Sequence, residues 1–299
     1  MMRIRLPART ARSIAFAACL VAAVGCGPDS AGRVESGTHR IVSLVPAATE
    51  MLFDMGAGSD VIAVSSFDRF PPEVTRLPSV GALVDPDFER ILTLEPTLVV
   101  VYGSQDDLMG RLDRASIPYF RYTHAVADGL GAVTATMREL GRRVGRDAEA
   151  EVAADRIERR LDEVRAAAAG RARPATALVF GREPGTLRGI QVSGGVGFLH
   201  DLLVIAGGRN AFEDVARENL QASVETMLQR APEVIIELRT VPQTSTDDTD
   251  ATAWNRLATI PAVRNGRITV LADPGLSIPG PRVADAARAF LSVLHPESQ

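Results

Sequence analysis

The feature that most constrains this chain is a repeat of its own. Phe88-Glu-Arg-Ile-Leu-Thr-Leu-Glu-Pro-Thr-Leu-Val-Val-Val101 lies without gaps on Val224-Glu-Thr-Met-Leu-Gln-Arg-Ala-Pro-Glu-Val-Ile-Ile-Glu237, each pair 136 residues apart. Glu89 falls on Glu225, Leu92 on Leu228 and Pro96 on Pro232. In each copy an amphipathic run, a proline and an apolar run follow one another. Proline lacks the N–H a helix needs, so it halts the helix before the strand. One helix–proline–strand unit written twice predicts two lobes of one plan.

The rest of the chain fits that plan. Short β-branched runs at Arg40–Val45, Val61–Val64, Leu98–Tyr102, Ala175–Phe180, Glu233–Leu238 and Arg267–Leu271 alternate with helical patterns. Such alternation predicts an α/β fold with mostly parallel sheets. Arg146 to Ala169 holds neither glycine nor proline and sets Val152, Ile157, Leu161 and Val164 at helical spacing. It reads as one helix of roughly 36 Å at 1.5 Å per residue, long enough to brace both lobes. The expected division is an N-terminal lobe over 40–145, a backbone helix over 146–170 and a C-terminal lobe over 171–299.

The N-terminus reads as an address. Arg3, Arg5, Arg9 and Arg12 precede the apolar run Ile14–Val24, which is too short to span a bilayer. Ala23-Val24-Gly25-Cys26 resembles the lipobox at which bacterial lipoproteins are cleaved and acylated. Residues 1–25 are therefore expected to be a lipoprotein signal peptide, Cys26 the lipidated residue that anchors the protein to the membrane, and 26–39 a flexible tether. The other cysteine, Cys19, lies inside the leader, so the mature chain has no disulfide. From Cys26 onward 29 arginines face 37 acids, and the chain contains no lysine. That balance argues against nucleic acid as a partner.

Arg40-Ile-Val-Ser-Leu-Val-Pro-Ala-Ala-Thr-Glu50, Ser65-Ser-Phe-Asp-Arg-Phe-Pro-Pro-Glu73 and Val80-Gly-Ala-Leu-Val-Asp-Pro-Asp-Phe-Glu-Arg-Ile91 carry a resemblance to a known family. In their order and spacing the chain resembles the substrate-binding proteins of ABC importers for cobalamin, ferric siderophores and haem, whose two Rossmann-like lobes are joined by one backbone helix. The resemblance implies a cell-envelope receptor and not an enzyme, with no resident cofactor. Its partners would be an ABC permease dimer with its ATPase, met through Glu89 and Glu225. It implies a metal chelate held between the lobes, with Phe67, Asp68, Arg69, Phe70, Leu83, Tyr102, Phe180, Arg182, Asn219, Asp273 and Arg282 as wall candidates. Phe67, Phe70, Tyr102 and Phe180 would supply apolar faces, and Arg69, Arg182 and Arg282 anion clamps. The chain departs from its relatives at Leu83, Tyr102 and Asn219, where cobalamin binders carry tryptophan, and at Leu83, where hydroxamate binders carry arginine. The Phe67-Asp-Arg-Phe-Pro-Pro-Glu73 element is nearer the cobalamin branch, which makes cobalamin (vitamin B12) the first expectation and a ferric siderophore or haem the second.

Three rival readings remain open at this stage. Val192-Ser-Gly-Gly-Val-Gly-Phe-Leu199 has neither Gly-x-Gly-x-x-Gly spacing nor a P-loop lysine, so it reads as a turn feeding a helix, with His200 a helix residue and not a catalyst. Capture of a bare metal ion needs several converging ligands. Among His39, His124, His200 and His295 only His124 is placed for a cleft, where it would serve as a single axial contact to haem or cobalt. A scaffold or sensor lipoprotein that does not transport is the third.

Overall fold

A computed structural model of the chain describes residues 39–123, 129–239 and 252–296. The expected leader, Cys26, the expected tether as far as residue 38 and His124 lie outside them.

The first lobe holds β1 (Ile41–Ser43), β2 (Val61–Val64), β3 (Leu98–Tyr102) and β4 (Tyr119–Tyr122) in the order β2-β1-β3-β4, with every pair parallel. Around them run α1 (Pro46–Asp54), α2 (Phe88–Thr93), α3 (Asp106–Arg114) and α4 (Gly131–Arg143). The continuous apolar run of β3 follows from burial on both faces. Leu98 and Val100 enter the core shared with α1 and α4, while Val99 and Val101 enter a separate core with Ile91 and Leu112.

The second lobe contains β5 (Ala175–Gly181), β6 (Ile190–Ser193), β7 (Arg209–Asn210), β8 (Asn219–Ala222), β9 (Val234–Leu238) and β10 (Ile268–Leu271), with α6 (Phe198–Ile205), α7 (Val224–Arg230), α8 (Pro261–Arg264) and α9 (Val283–Leu294). Strand order is β10-β9-β5-β6-β8, and β7 pairs with the start of β5. The strands around β9 and β5 are parallel, but β6 and β8 run antiparallel at the edge. Val192–Leu199 is the end of β6, a turn and the start of α6.

The repeat holds to the residue. α2 and α7 begin at Phe88 and Val224, and β3 and β9 begin at Leu98 and Val234, each pair at the same offset. Asp87 caps α2 by accepting from the Arg90 amide, and Ser223 caps α7 by accepting from the Thr226 amide. Glu95 and Ala231 both take left-handed backbone, at φ of 45° and 43°, to turn the chain from helix to strand.

Between the lobes runs α5 (Asp147–Ala168). Its buried face is Ala150, Ala153, Ala154, Ile157, Leu161, Val164 and Ala168. Val152, expected on that face, is 63% exposed. Small residues fill the first turns because α4 passes close: a Cβ on Gly141 would collide with that of Ala150. Truncating Ile157 or Leu161 to alanine would cost about 2–5 kcal/mol each. Charge reinforces the packing, since Arg138 of α4 bonds Glu151, Asp155 and Glu158 at 2.8–3.0 Å. Arg156 reaches Asp54 of α1, and Arg160 and Glu163 pair with Asp285 and Arg288 of α9.

Candidate functional site

The strands of the first lobe deliver their C-terminal ends to one edge. There the loop after β2 folds on itself, with Asp68 Oδ2 accepting from the Ser65 amide at 3.0 Å and its hydroxyl at 2.5 Å. Asp68 is thereby buried, and among the described residues its Oδ1 has no hydrogen-bond partner. Burial pushes its carboxyl above the usual aspartate range, against the hydrogen bonds from Ser65 and Thr49. The turn sends the neighbouring aromatics outward: Phe67 is 65% exposed and Phe70 41%. Arg69 donates to the Asp68 carbonyl at 2.8 Å.

Tyr102 closes β3 with its ring edge-on to Tyr122, centroids 5.9 Å apart. Burial and the Asp68 charge push its phenol up to about 12. Gln105, a residue the sequence did not single out, fixes this corner. Its Oε1 accepts from the Tyr102 amide at 2.8 Å, and its Nε2 donates to the Leu83 carbonyl at 2.9 Å. A cavity of about 700 Å3 adjoins Leu83, Val84, Gln105 and Asp106.

Across the lobes stands an ion pair that sequence reasoning also missed. Glu50 of α1 is buried and accepts from Arg282, which precedes α9, through Nε at 2.9 Å and Nη2 at 2.6 Å. The Arg282 guanidinium also lies 4.2 Å from the Phe70 ring centroid and 3.6 Å from Asp273. Burial raises the Glu50 carboxyl despite the opposing pull of Arg282. Arg282, expected as an anion clamp, is therefore already committed to a buried carboxylate. Asp273 caps the turn over 274–277 by accepting from the Gly275 amide at 2.8 Å. The Tyr122 hydroxyl donates to the Pro279 carbonyl at 3.4 Å, a second tie between lobes.

The second lobe corrects another expectation. Arg182, also expected as a clamp, has a side chain only 2% exposed and bonds Glu237 at 3.1 Å. Trp254 donates its indole N–H to the same carboxylate at 3.0 Å and lies under the guanidinium. The physical reason is the charge of Glu237 on a buried central strand, which demands a counter-ion. Phe180 is partly buried against the main core, and Asn219 is exposed at the start of β8 opposite Ser193.

The structure thus brings Phe70, Asp273 and Arg282 together at Glu50, with Asp68 near enough for its charge to act on the Glu50 carboxyl; Arg69 lines a separate depression with Ser65 and Leu77, Leu83 another with Gln105, and Arg182 lies in the second lobe's interior. Glu89 and Glu225 are the second residues of their helices and both are exposed. Glu89 pairs with Arg111 at 3.7 Å, and the backbone amide and Ser223 hydroxyl hold the Glu225 carboxyl below the usual range. Among the described residues no three His, Cys, Asp or Glu side chains group to hold a metal ion, and no helix is long and apolar enough to cross a membrane.

Comparison with known proteins fits this frame. The family described as periplasmic binding protein matches residues 41–274. The vitamin B12-binding protein of Pectobacterium atrosepticum is 30% identical over 264 residues, 86% of this chain and 88% of that protein. The periplasmic vitamin B12 binding protein of Vibrio cholerae superposes with a TM-score of 0.71 at 24% identity, over 86% of this chain and 96% of that one. A periplasmic heme-binding protein from Roseiflexus sp. RS-1 in apo form gives 0.70 at 26% identity, over 86% and 100%. With its two lobes, its helical brace and most of its length so matched, the chain belongs to the periplasmic binding protein family.

Proposed function

We propose that this protein is the receptor of an ABC importer, held to the membrane through a lipid on Cys26, and that it captures a metal chelate of the cobalamin class between its lobes. Phe67 and Phe70 offer exposed aromatic faces, Tyr102 and Leu83 a fixed wall, and Arg69 a charge. Phe180 and Asn219 face the ligand from the second lobe. Asp68 holds the loop in shape through Ser65, and Arg282 holds Phe70 in place between the buried Glu50 and Asp273. Glu89 and Glu225 present two carboxylates to arginines of a two-fold permease. No bond is made or broken.

The observation that carries this reading is the aromatic rim at the strand ends of a two-lobed frame, where such folds hold their ligands. The ligand class is supported by the 30% identity to a vitamin B12-binding protein over most of both chains. Ferric haem is the second reading, favoured by the Roseiflexus structure. A tyrosine holding ferric iron must bind as phenolate, and burial of Tyr102 works against that form.

Calorimetric titration of the purified protein with cyanocobalamin, a ferric hydroxamate and haem tests the proposal. Trp254 is fully buried in the second lobe's own core, so heat is a better signal than its fluorescence. Saturable binding of cyanocobalamin is expected. Saturation by haem or the hydroxamate alone would overturn the cobalamin assignment.

A further inference from the structure

The far end of the second lobe carries a cavity of about 750 Å3 that the proposed receptor function does not use. It lies where β5, β7, β9 and β10 begin, opposite the edge where Phe180 stands near the end of β5 and Asp273 follows β10. Parallel pairing brings Arg173, Arg209 and Arg267 to this edge, and α7 and α8 end there with Arg230 and Arg264. Five arginines thus line one cavity with a single carboxylate, Glu233, which accepts from the Ala175 amide at 2.8 Å.

Only some of this charge is neutralised. Arg230 forks onto Asp214 at 2.7 and 2.9 Å, and Arg209 faces Glu213 at 3.8 Å. Among the described residues no carboxylate lies within ion-pair distance of Arg173, Arg264 or Arg267. Arg173 donates to the Gly208 carbonyl at 3.1 Å and Arg267 to the Leu294 carbonyl at 2.9 Å. A carbonyl orients a guanidinium without cancelling its charge, and among the described residues four of the five N–H donors of each have no partner. His295, on the cavity wall, senses the result: burial and then the charges of Arg171 and Arg267 push its imidazole below the usual range.

Neutralising helix ends is the plainer explanation for arginines here. α7 and α8 have seven and four residues, too short for strong dipoles, and they concern only Arg230 and Arg264. At the other lobe's matching helix–strand junction Arg40 donates to the Glu95 carbonyl at 3.2 Å and the Leu94 carbonyl at 2.7 Å, so one arginine meets two of the carbonyls that such a junction leaves open.

We propose that this cavity is a second binding site, for a multiply charged phosphate-bearing anion. Guanidinium forks match phosphate oxygens two at a time, and the volume admits more than one phosphate group. The phosphate comes either from a soluble oligophosphate or from an anionic lipid headgroup.

The test is titration of the purified protein with sodium tripolyphosphate at low salt, read by calorimetry and by the NMR titration of His295. Binding is expected that weakens with salt and raises the His295 pKa. It should fall by about tenfold or more in Arg173→Gln/Arg264→Gln. Arg142→Gln/Arg143→Gln, two exposed arginines of α4, should bind as the unaltered protein does. Cosedimentation with phosphatidylglycerol vesicles, against phosphatidylcholine, separates the sources. Retention that tripolyphosphate competes away assigns the headgroup, and tripolyphosphate binding without retention assigns the soluble anion. No binding by the unaltered protein, or equal loss in the α4 control, overturns the proposal. Cyanocobalamin titration of the same variants stands apart, because that ligand belongs to the opposite edge of the sheet.

Discussion

Asp68 keeps one oxygen on Ser65 and buries the other, which has no hydrogen-bond partner among the described residues. Its raised pKa means that the folded chain binds this proton more tightly than the unfolded chain does. The residue therefore contributes stability that is full below the ordinary carboxylate pKa of about 4 and is lost as pH rises through the folded value. Glu50 acts in the same direction. In urea unfolding between about pH 4 and pH 7, Asp68→Asn should make the fall of stability with rising pH shallower. An unaltered slope would show that Asp68 is solvated in the native protein. Tyr102 makes a different demand. Its proposed role is an aromatic face, so Tyr102→Ala should weaken chelate binding about tenfold, or ~1.4 kcal/mol. Tyr102→Phe should bind normally, and equal loss in both would mean that the hydroxyl is what the ligand meets.

At the level of elements, the two helix–proline–strand units were legible because everything that makes them is local. The caps Asp87 and Ser223, the prolines and the apolar strands all lie within one window of sequence. The long helix was legible in extent, but its buried face was not. Periodicity weighs large apolar residues and so favours Val152 over Ala150, Ala153 and Ala154, whereas the close passage of α4 buries the three alanines. The site was read less well for the opposite reason to the repeat. Glu50 and Arg282 are 232 residues apart in sequence, and nothing near either one announces the other. The same holds for Arg182, which in sequence suggests an anion clamp because the counter-charge it meets, Glu237, stands 55 residues away on β9. The repeat makes a prediction at its own scale. Asp87→Ala and Ser223→Ala should each cost about 1 kcal/mol, the worth of one side-chain cap. The two sites share no partner, so the double variant should cost about their sum, within ~0.5 kcal/mol. Chemical denaturation of the three variants checks this, and a cost at one cap only would show that the lobes do not use their shared unit alike.

Across the whole molecule the proposed capture and docking roles fall on different residues, which makes them separable by experiment. Reversing charge in Glu89→Arg/Glu225→Arg should abolish uptake while leaving calorimetric ligand affinity unchanged; lost affinity would place the two residues in the ligand site instead. How far the lobes can move in such a cycle is set by what joins them. The main core is one continuous cluster, running from Ile41 and Met51 in the first lobe through Ile157 and Leu161 of α5 to Leu178, Leu202 and Phe290 in the second. Glu50–Arg282, Tyr122–Pro279 and the Leu130 amide on Asp201 then bridge the lobes directly. A shared core and buried cross-ties give neither lobe a stable state without the other, so the folded body should melt in one transition. Closure on a ligand should be small, because large hinging would break that core. Differential scanning calorimetry of the purified protein should give a calorimetric enthalpy equal to the van't Hoff enthalpy. Two resolved transitions would show that the lobes fold separately, and that α5 joins them as a flexible link and not as a brace.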